Sequence, residues 1–320
     1  MPDFPITVAI PTFNGADHLA DALLGILDQQ GVDFELIVSD DRSDDRTIER
    51  VHTLAGNRAT IQVNPERLGL AGNWNRCVAM ASAPIVAVFH QDDVMRPGHL
   101  VAHLAAFADA RVGLVASASD VIDARGKPVS ESVVSRGGLG PIDRVFTPGT
   151  LAPTMLEGNP LRCSAVTIRR AAFDDVGGFD PSLQYVLDWD FWLRVSRRWS
   201  VAWLARPTVQ VRWHPASETH RFKAGTADLD ESARMLDLLF SIDLARHPDA
   251  RRLRRHSARR LARAFLNRAH DALGAGRRDL ARRALRRGLG LAPSIILDGL
   301  HDPRLGLRMA SLAFPGKGST

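Results

Sequence analysis

Short, mainly apolar runs alternate with amphipathic segments over the first 125 residues of the chain. The apolar runs predict five strands, at residues 6–10, 34–38, 60–63, 85–89 and 112–117. Between them apolar side chains recur at helical spacing, most clearly over residues 17–30. Repeated strand–helix units of this kind predict an α/β domain with a doubly wound, mostly parallel sheet.

The rest of the chain is less regular. Residues 126–160 are rich in Gly and Pro, and we expect an insert with short strands there. Three further strands and a helix are predicted at residues 164–168, 201–204, 208–213 and 188–198. From about residue 226 the pattern is helical, with breaks at Pro248, Gly274–Gly276 and Pro293.

Polar residues follow three of the predicted strands, at Pro11–Gly15, Asp40–Ser43 and Gln91–Asp93. In a doubly wound sheet, ligands bind beyond the carboxyl ends of the strands, so we expect these loops to meet at one crevice. Ser43 and Asp44 are also predicted N-caps for a helix that runs to about Ala55.

Two adjacent carboxylates, Asp92 and Asp93, end the fourth predicted strand. Hard anionic oxygens are the ligands that Mg²⁺ and Mn²⁺ prefer, often together with phosphate oxygens of a substrate. Paired acids are also common in solvated turns, so the pair alone leaves both readings open.

Composition indicates an ordinary globular protein, with 320 residues of which 45% are hydrophobic and 24% charged. No apolar stretch reaches 18 residues, which argues against a membrane span, and the N-terminus lacks the pattern of a signal peptide. Cys77 and Cys163 are isolated, which suits a reducing compartment. We therefore expect a cytoplasmic protein, with peripheral contact at the inner face of the cytoplasmic membrane left open.

The net charge of +5 is unevenly distributed. Residues 246–290 hold fifteen Arg and three acids, whereas residues 1–245 carry a net charge of −8. The Arg-rich helices carry narrow apolar stripes, and the second stretch, residues 281–293, resembles half of a tetratricopeptide-like hairpin, which cannot bury its own apolar face. Anionic lipid and the acidic surface of the rest of the chain are alternative partners. No base-reading motif accompanies the arginines, so nucleic acid is not expected as a partner.

Five segments carry most of the recognisable pattern. They are Val8-Ala-Ile-Pro-Thr-Phe-Asn-Gly, Glu35-Leu-Ile-Val-Ser-Asp-Asp-Arg-Ser-Asp-Asp, Asn64-Pro-Glu-Arg-Leu-Gly-Leu-Ala-Gly-Asn-Trp-Asn, Gln91-Asp-Asp and Leu187-Asp-Trp-Asp-Phe-Trp-Leu-Arg. In this order and spacing they resemble the inverting family 2 glycosyltransferases of the GT-A fold. The resemblance implies a GT-A catalytic domain with a Rossmann-like nucleotide-binding core over residues 1–222, followed by a basic α-helical extension over residues 223–320.

The resemblance also assigns residues to the donor. The nucleotide-sugar contacts would be Pro11, Thr12, Asn14, Asp41, Asn73, Arg76 and Asp92. Asp41 would accept a hydrogen bond from N3 of uracil, which only an acceptor can pair with. Ordinary turns, and for Arg76 a solvated helix position, are the structural alternatives.

For the metal, a divalent Mn²⁺ or Mg²⁺, the resemblance favours Asp93 as the direct ligand, with Gln91 where a first Asp often stands. His214, just after a predicted strand, would be a further contact, although a lone His is more often structural.

For catalysis, Asp188 falls on the position of the base that deprotonates the acceptor, with Asp190 as the second candidate. Leu187 stands where the family usually has Glu, and an N-cap role is the alternative for Asp188. Four tryptophans are candidates for a sugar-stacking face, with core packing as the alternative for Trp192: Trp189, Trp192, Trp203 and Trp213.

The expected function is metal-dependent transfer of a sugar from a UDP- or dTDP-linked donor to a hydroxyl of a glycan or lipid-linked glycan, in cell-surface polysaccharide or lipopolysaccharide synthesis. Two alternatives belong to other classes. A sugar-nucleotide nucleotidyltransferase shares the doubly wound core but usually has a Gly-rich, basic loop after its first strand, which Pro11-Thr-Phe-Asn-Gly is not. The other is an inactive scaffold that binds partners through its basic helices.

Overall fold

The computed structural model describes residues 4–129, 138–222 and 224–296. The chain divides into two compact units, Met1–Pro215 and Ala216–Thr320.

The first unit contains nine strands and six α-helices among its described residues. The strands are β1 (Ile6–Thr12), β2 (Phe34–Asp40), β3 (Ala59–Val63), β4 (Ile85–Val88), β5 (Val94–Met95), β6 (Val112–Asp123), β7 (Arg144–Phe146), β8 (Val166–Arg169) and β9 (Ser200–Trp213). The helices are α1 (Leu19–Leu27), α2 (Thr47–Ala55), α3 (Gly69–Met80), α4 (His99–Ala106), α5 (Arg170–Val176) and α6 (Leu187–Arg198). Short 3₁₀ turns lie at Gly56–Arg58, Ala152–Met155 and Cys163–Ala165.

All nine strands belong to one sheet, in the order β3-β2-β1-β4-β8-β6-β9-β5, with β7 added to β9. The strands β3, β2, β1 and β4 are mutually parallel. β8 runs antiparallel between β4 and β6, and β6 is parallel to β9. Six of the described strands thus share one direction, and the predicted α/β, doubly wound, mostly parallel sheet is confirmed.

The core lies between this sheet and its helices. Alternate residues of β1, Ile6, Val8 and Ile10, are fully buried and belong to the same apolar cluster as Leu19 and Leu23 of α1. Burial of each such side chain stabilises the fold by about 1.5–3 kcal/mol relative to exposure. The apolar cluster holds the strand ends, and therefore the loops after them, in fixed positions.

The structure corrects two local predictions. The two strands predicted at residues 201–204 and 208–213 are one strand, β9, whose register against β6 shifts near Pro207. The shift accommodates Pro207, which has no backbone N–H to donate to a hydrogen bond between β9 and β6. Within the predicted insert the described part has one short strand, β7, while residues 130–137 lie outside the described residues.

The predicted N-caps of α2 are also wrong. The helix begins at Thr47, and the Asp45 carboxylate accepts the hydrogen bond from the Thr47 N–H at 2.9 Å. Ser43 bonds to Asp40 instead, and the Asp44 N–H donates to Asn14. The Ser43 side chain and the Asp44 backbone therefore bind residues of the crevice loops, and the cap bond comes from Asp45.

The second unit is helical in its described part, as predicted. Its helices are α7 (Glu218–Phe222), α8 (Ala227–Leu238), α9 (Ala250–Gly274) and α10 (Arg278–Leu291), with a π-helical turn at Leu239–Asp243. The breaks predicted at Pro248 and Gly274–Gly276 fall between helices, and α9 packs against α10. In the described part of the chain, every helix is too short or too polar to cross a membrane.

Acidic residues of α8 hold the arginines that face it. Asp228 is buried and accepts two hydrogen bonds from the Arg268 guanidinium, at 2.7 and 3.0 Å. Asp230 pairs with Arg287 at 2.6 Å. On α10 the buried face is Leu280, Ala281, Ala284 and Gly288. Three arginines on the opposite face of α10 are exposed, and we call them the outer-face arginines: Arg282, Arg283 and Arg286.

Candidate active site

The three loops predicted to converge do so, and hydrogen bonds between side chains and backbone groups link them. The Asn14 N–H donates to Ser43 Oγ at 2.9 Å, and Asn14 Oδ1 accepts from the Asp44 N–H at 2.9 Å. The Gln91 amide exchanges two hydrogen bonds of 3.0 Å with the backbone of Phe13. The loops after β1, β2 and β4 therefore form one hydrogen-bonded rim.

Thr12 and Asp40 lie buried beneath these loops and bind each other. Thr12 Oγ1 donates to Asp40 Oδ1 at 2.8 Å, and both residues are buried. Asp40 also accepts hydrogen bonds from the N–H and the hydroxyl of Ser43, at 2.8 and 2.6 Å. Pro11, one residue earlier on β1, is half-buried. Thr12 is thus part of the support of the crevice, whereas Asn14 is exposed at its edge.

Asp41 is buried at the end of β2 and caps helix α3. Its Oδ1 accepts from the Leu68 N–H at 2.7 Å and from the Asn64 amide at 3.1 Å. Its Oδ2 accepts from the Gly69 N–H at 3.0 Å. A carboxylate oxygen has two lone-pair positions, so Oδ2 retains one acceptor position for a ligand donor.

Beside Asp41 lies an aromatic face that the sequence reasoning missed. The Arg67 guanidinium is stacked over the Phe13 ring, 3.6 Å from its centroid, and the Arg67 Nε lies 4.0 Å from Asp41 Oδ2. The Arg67 side chain is 55% exposed, so it can move without loss of core packing. An aromatic face next to an unfilled carboxylate acceptor can hold a planar base. The aromatic residue inside the loop after β1 was the signal that could have identified it.

Asn73 and Arg76, both on α3, differ in environment. Asn73 is 4% exposed, and its amide bonds to Ser39, Asn64 and the Thr12 carbonyl. It ties β1 and β2 to α3. Arg76 is half-buried and makes no hydrogen bond or ion pair within the described residues.

Asp92 and Asp93 form a cluster with His90, which the sequence reasoning missed. One ligand atom from each of the three residues lies within 4.8 Å of the others. His90 Nε2 is buried without a hydrogen-bond partner among the described residues. A histidine two residues before the first of two adjacent aspartates was the available signal.

The two carboxylates are unequal. Asp93 is 3% exposed; its Oδ1 accepts from the Arg212 N–H at 2.8 Å and its Oδ2 from the Ser164 hydroxyl at 2.5 Å. Burial, followed by the charge of Asp92, raises the pKa of Asp93 to about 7. Burial, the largest single cause, also opposes ionisation of Asp92, but the hydrogen bond from His214 and the charges of His90 and His214 together lower the pKa of Asp92. Asp92 is thus the more readily ionised of the pair.

His214 lies next to Asp92 and not in the cluster. Its Nε2 is 2.9 Å from Asp92 Oδ2, and its ring meets the edge of the His18 ring with centroids 4.8 Å apart. Asp92 Oδ1 accepts no hydrogen bond from another described residue. His214 therefore orients Asp92 so that Oδ1 is available to a ligand.

Asp188 and Asp190 have different partners in the first turn of α6. Asp188 Oδ1 accepts from the Trp189 N–H at 2.7 Å, and Asp188 Oδ2 accepts from the Asn159 amide at 2.8 Å. Asp190 Oδ2 pairs with Arg194 Nε at 2.8 Å, and the same guanidinium donates to the carbonyls of residues 176–178.

The charge of Asp188 also acts on the cluster of His90, Asp92 and Asp93, through His90. Burial lowers the pKa of His90, and the charges of Asp92 and Asp188 partly oppose this shift. The charge of Asp188 therefore acts on His90, whereas Asp190 pairs with Arg194, which binds the loop at residues 176–178.

The tryptophans do not form a common exposed face. Trp189, Trp192 and Trp203 are at most 3% exposed, and Trp203 Nε1 donates to the Gly140 carbonyl. Only Trp213 among the four is half-buried. The core-packing alternative for Trp192 is confirmed, and the predicted stacking face is wrong for the three buried rings.

The sequence profile of glycosyl transferase family 2 matches residues 7–174, more than half of the chain. The chain therefore belongs to glycosyl transferase family 2 and is a glycosyltransferase. This membership agrees with the resemblance drawn from the five motifs and rules against the nucleotidyltransferase alternative.

Relatives and a solved structure extend this comparison. An uncharacterised protein of Mycobacterium tuberculosis is 29% identical over 246 residues, 73% of this chain and 75% of that protein. Escherichia coli WfgD, a UDP-Glc:α-D-GlcNAc-diphosphoundecaprenol β-1,3-glucosyltransferase, is 28% identical over 94 residues, 29% of this chain and 37% of WfgD. The chain thus matches well under half of this named enzyme.

Staphylococcus aureus TarS 1–349 in complex with UDP-GlcNAc has a TM-score of 0.59 at 16% identity, covering 95% of this chain and 87% of TarS 1–349. The GT-A fold prediction is confirmed by this likeness.

Proposed function

We propose that this chain transfers a sugar, with inversion at the anomeric carbon, from a UDP- or dTDP-linked donor to a hydroxyl of a glycan or lipid-linked glycan. The observation that carries the proposal is the cluster of His90, Asp92 and Asp93, with ligand atoms within 4.8 Å, coupled to Asp188. A cation site and a carboxylate base side by side are what this reaction requires.

The residues of the cluster fit a divalent cation. His90 Nε2 is buried without a partner, and Asp92 Oδ1 accepts no hydrogen bond from another described residue. We therefore assign direct contact with the cation to His90 and Asp92. The resemblance implied Asp93 and His214 as ligands. We assign Asp93 instead to holding the turn through Arg212 and Ser164, and His214 to orienting Asp92. An imidazole beside a carboxylate favours a transition metal such as Mn²⁺, while Mg²⁺ prefers oxygen ligands alone. When bound, the cation would offset the negative charge of the donor diphosphate.

The nucleotide would bind at the rim formed by the loops after β1 and β2. Asp41 Oδ2 would accept the N3–H of the pyrimidine, and the Phe13 face would stack on the ring once Arg67 moves aside. Pro11, Thr12, Asn14 and Asn73 would shape this pocket, since hydrogen bonds tie Thr12, Asn14 and Asn73 to neighbouring loops and strands. Arg76 stays a candidate partner for a phosphate.

Asp188 would act as the base. Its carboxylate would take the proton of the acceptor hydroxyl while that oxygen attacks the anomeric carbon from the side opposite the departing nucleoside diphosphate. The Asn159 amide and the Trp189 N–H hold the carboxylate in place, each through one hydrogen bond. Asp190 is paired with Arg194, so we assign it to supporting the loop at residues 176–178.

The acceptor class and a membrane contact are proposed on two grounds. The name of WfgD identifies a lipid-linked acceptor, GlcNAc-diphosphoundecaprenol, for that relative. The outer-face arginines are exposed, and within the described part of the chain their one ion pair joins Arg282 to Asp279 at 3.6 Å. A cluster of exposed cations fits the surface of a membrane with anionic lipids, at about 1 kcal/mol per Arg. Contact there would bring the enzyme to a lipid-linked glycan.

The function is tested by nucleotide-sugar binding and turnover. Thermal stabilisation of the full-length protein is measured with UDP- and dTDP-sugars, with Mn²⁺ or with chelator. Release of nucleoside diphosphate is then followed with glycan and lipid-linked acceptors. We expect stabilisation that needs Mn²⁺ and is lost in Asp92→Asn. Stabilisation that is equal with chelator contradicts the metal dependence, and binding without turnover for any donor favours the inactive scaffold.

A further inference from the structure

Arg212 is a buried cation that reaches from β9 to the turn carrying Asp92 and Asp93. Its side chain is 2% exposed. Its Nε donates to the Asp92 carbonyl at 2.8 Å, and its own backbone N–H donates to Asp93 Oδ1 at 2.8 Å. Its Nη1 donates to the carbonyls of Asp123 and Ala124 at 3.3 and 3.4 Å. Arg212 thus holds the backbone of the turn at Asp92 and orients the Asp93 carboxylate. It also links the turn to the end of β6.

Asp21 of α1 balances the charge of Arg212. Arg212 Nη2 lies 2.6 Å from Asp21 Oδ2, and the Asp21 side chain is 55% exposed. A buried guanidinium without a counter-ion is costly, and next to a cation site it would also repel the cation. Its influence reaches the neighbouring imidazole, because burial and then the charge of Arg212 lower the pKa of His18. With Asp21 in place, Arg212 can hold the turn with little net positive charge.

We infer that Arg212 is the positioning residue of the metal site and that Asp21 is its counter-ion. The inference rests on the metal-dependent function proposed above. The three nitrogens of the guanidinium reach three different groups, the Asp92 carbonyl, the end of β6 and Asp21. A lysine ammonium is a compact charge without this planar fork, so it cannot reproduce all three contacts.

The experiment compares Mn²⁺ affinity and metal-free thermal stability in the full-length wild-type protein and three variants. Arg212→Lys keeps the charge and removes the fork, while Asp21→Asn removes the counter-ion and leaves Arg212 in place. Arg198→Gln is the control, because Arg198 belongs to a more exposed ion pair with Asp175 at 2.7 Å, and among the described residues no hydrogen bond or ion pair joins it to the turn. Mn²⁺ binding is followed by the electron paramagnetic resonance signal of the free ion.

We expect Arg212→Lys to bind Mn²⁺ about 10- to 100-fold more weakly, as for other groups that orient metal ligands. Asp21→Asn should weaken Mn²⁺ binding less, and Arg198→Gln should leave it unchanged. Saturating Mn²⁺ should restore nucleotide release in Arg212→Lys, which a general loss of structure would not allow. If Arg212→Lys does not fold, Asp21→Asn decides, because its partly exposed position tolerates the change.

Two results overturn the inference in distinguishable ways. Equal Mn²⁺ affinity in the wild type and in the folded variants overturns the positioning role alone. A wild-type protein without Mn²⁺ affinity overturns the proposed metal dependence, and this inference with it.

Discussion

Replacing Asp188 by Asn separates the chemical role of this residue from its structural one. The carboxylate accepts hydrogen bonds from the Trp189 N–H at 2.7 Å and from the Asn159 amide at 2.8 Å. An asparagine keeps the first through its carbonyl oxygen. Its NH₂ group then faces the NH₂ group of Asn159, so one hydrogen bond is lost. The negative charge in the first turn of α6 is lost as well.

The cost in stability, about 1–4 kcal/mol in all, appears in the melting temperature and is measured separately from the cost in rate. Loss of the charge at the helix N-terminus costs about 0.3–1 kcal/mol, and the unsatisfied amide costs about 1–3 kcal/mol. The melting temperature should therefore fall by several degrees, at roughly 2–4 °C per kcal/mol for a unit of this size. Removal of a positioned general base lowers the rate by about 10²- to 10⁴-fold, or about 3 to 5 kcal/mol in activation free energy.

The assay measures donor affinity, melting temperature and rate of nucleoside diphosphate release in parallel. We expect Asp188→Asn to keep donor affinity and lose transfer. The double variant Asp188→Asn/Asn159→Asp restores a hydrogen bond between these positions, so it should regain stability without regaining the rate. Asp190→Asn breaks the ion pair with Arg194, and we expect it to lose stability and keep most of the rate. A near wild-type rate in Asp188→Asn would refute the mechanism.

Three further predictions test other parts of the molecule. Asp93→Asn should weaken Mn²⁺-dependent UDP binding less than Asp92→Asn, because an amide can keep the bonds to Arg212 and Ser164; the reverse order of affinities would return the direct contact to Asp93. The free energy of unfolding should fall as the pH drops below 6.5, because His99 and His103 of α4 are buried and burial lowers the pKa of both, that of His99 to about 3. The unfolded chain then binds protons that the folded chain does not, at up to about 1.4 kcal/mol per pH unit for each histidine. Unfolding as a function of pH checks this, and an unchanged slope in His99→Gln would contradict it. Replacing the three outer-face arginines by Ser should abolish salt-sensitive binding to anionic vesicles; vesicles that ignore the wild type at low salt would contradict the membrane contact.

Much of the fold, and the meeting of the loops, follows from local pattern. Apolar runs such as residues 6–10 and 34–38 mark parallel strands, and polar residues directly after them must lie at one edge of the sheet. For the same reason Asn14, Asp41 and Asp92 could be placed at one crevice from the sequence alone. The helix breaks of the second unit were equally local, since Gly and Pro act on the chain where they stand.

What the sequence could not show is which partner each polar side chain has, because the partners are distant in the chain. Gln91 binds the backbone of Phe13, 78 residues earlier, and Arg212 binds the Asp92 carbonyl, 120 residues earlier. Such pairs depend on the tertiary register of β1, β4 and β9. The N-caps of α2 failed for a related reason, because Ser43 found a partner in Asp40 and left the capping role to Asp45.

The contrast between Asp92 and Asp93 shows how far these distant partners decide chemistry. The two residues are adjacent and identical in type, so nothing in their local sequence ranks them. Asp93 is enclosed by Ser164 and the Arg212 backbone, and burial raises its pKa to about 7. Burial also opposes ionisation of Asp92, yet the hydrogen bond from His214 together with the charges of His90 and His214 lowers the pKa of Asp92. Because a cation binds the ionised form, Arg212 near the end of β9, His214 directly after it and Ser164 together would favour Asp92 over Asp93 as a ligand of the proposed metal site.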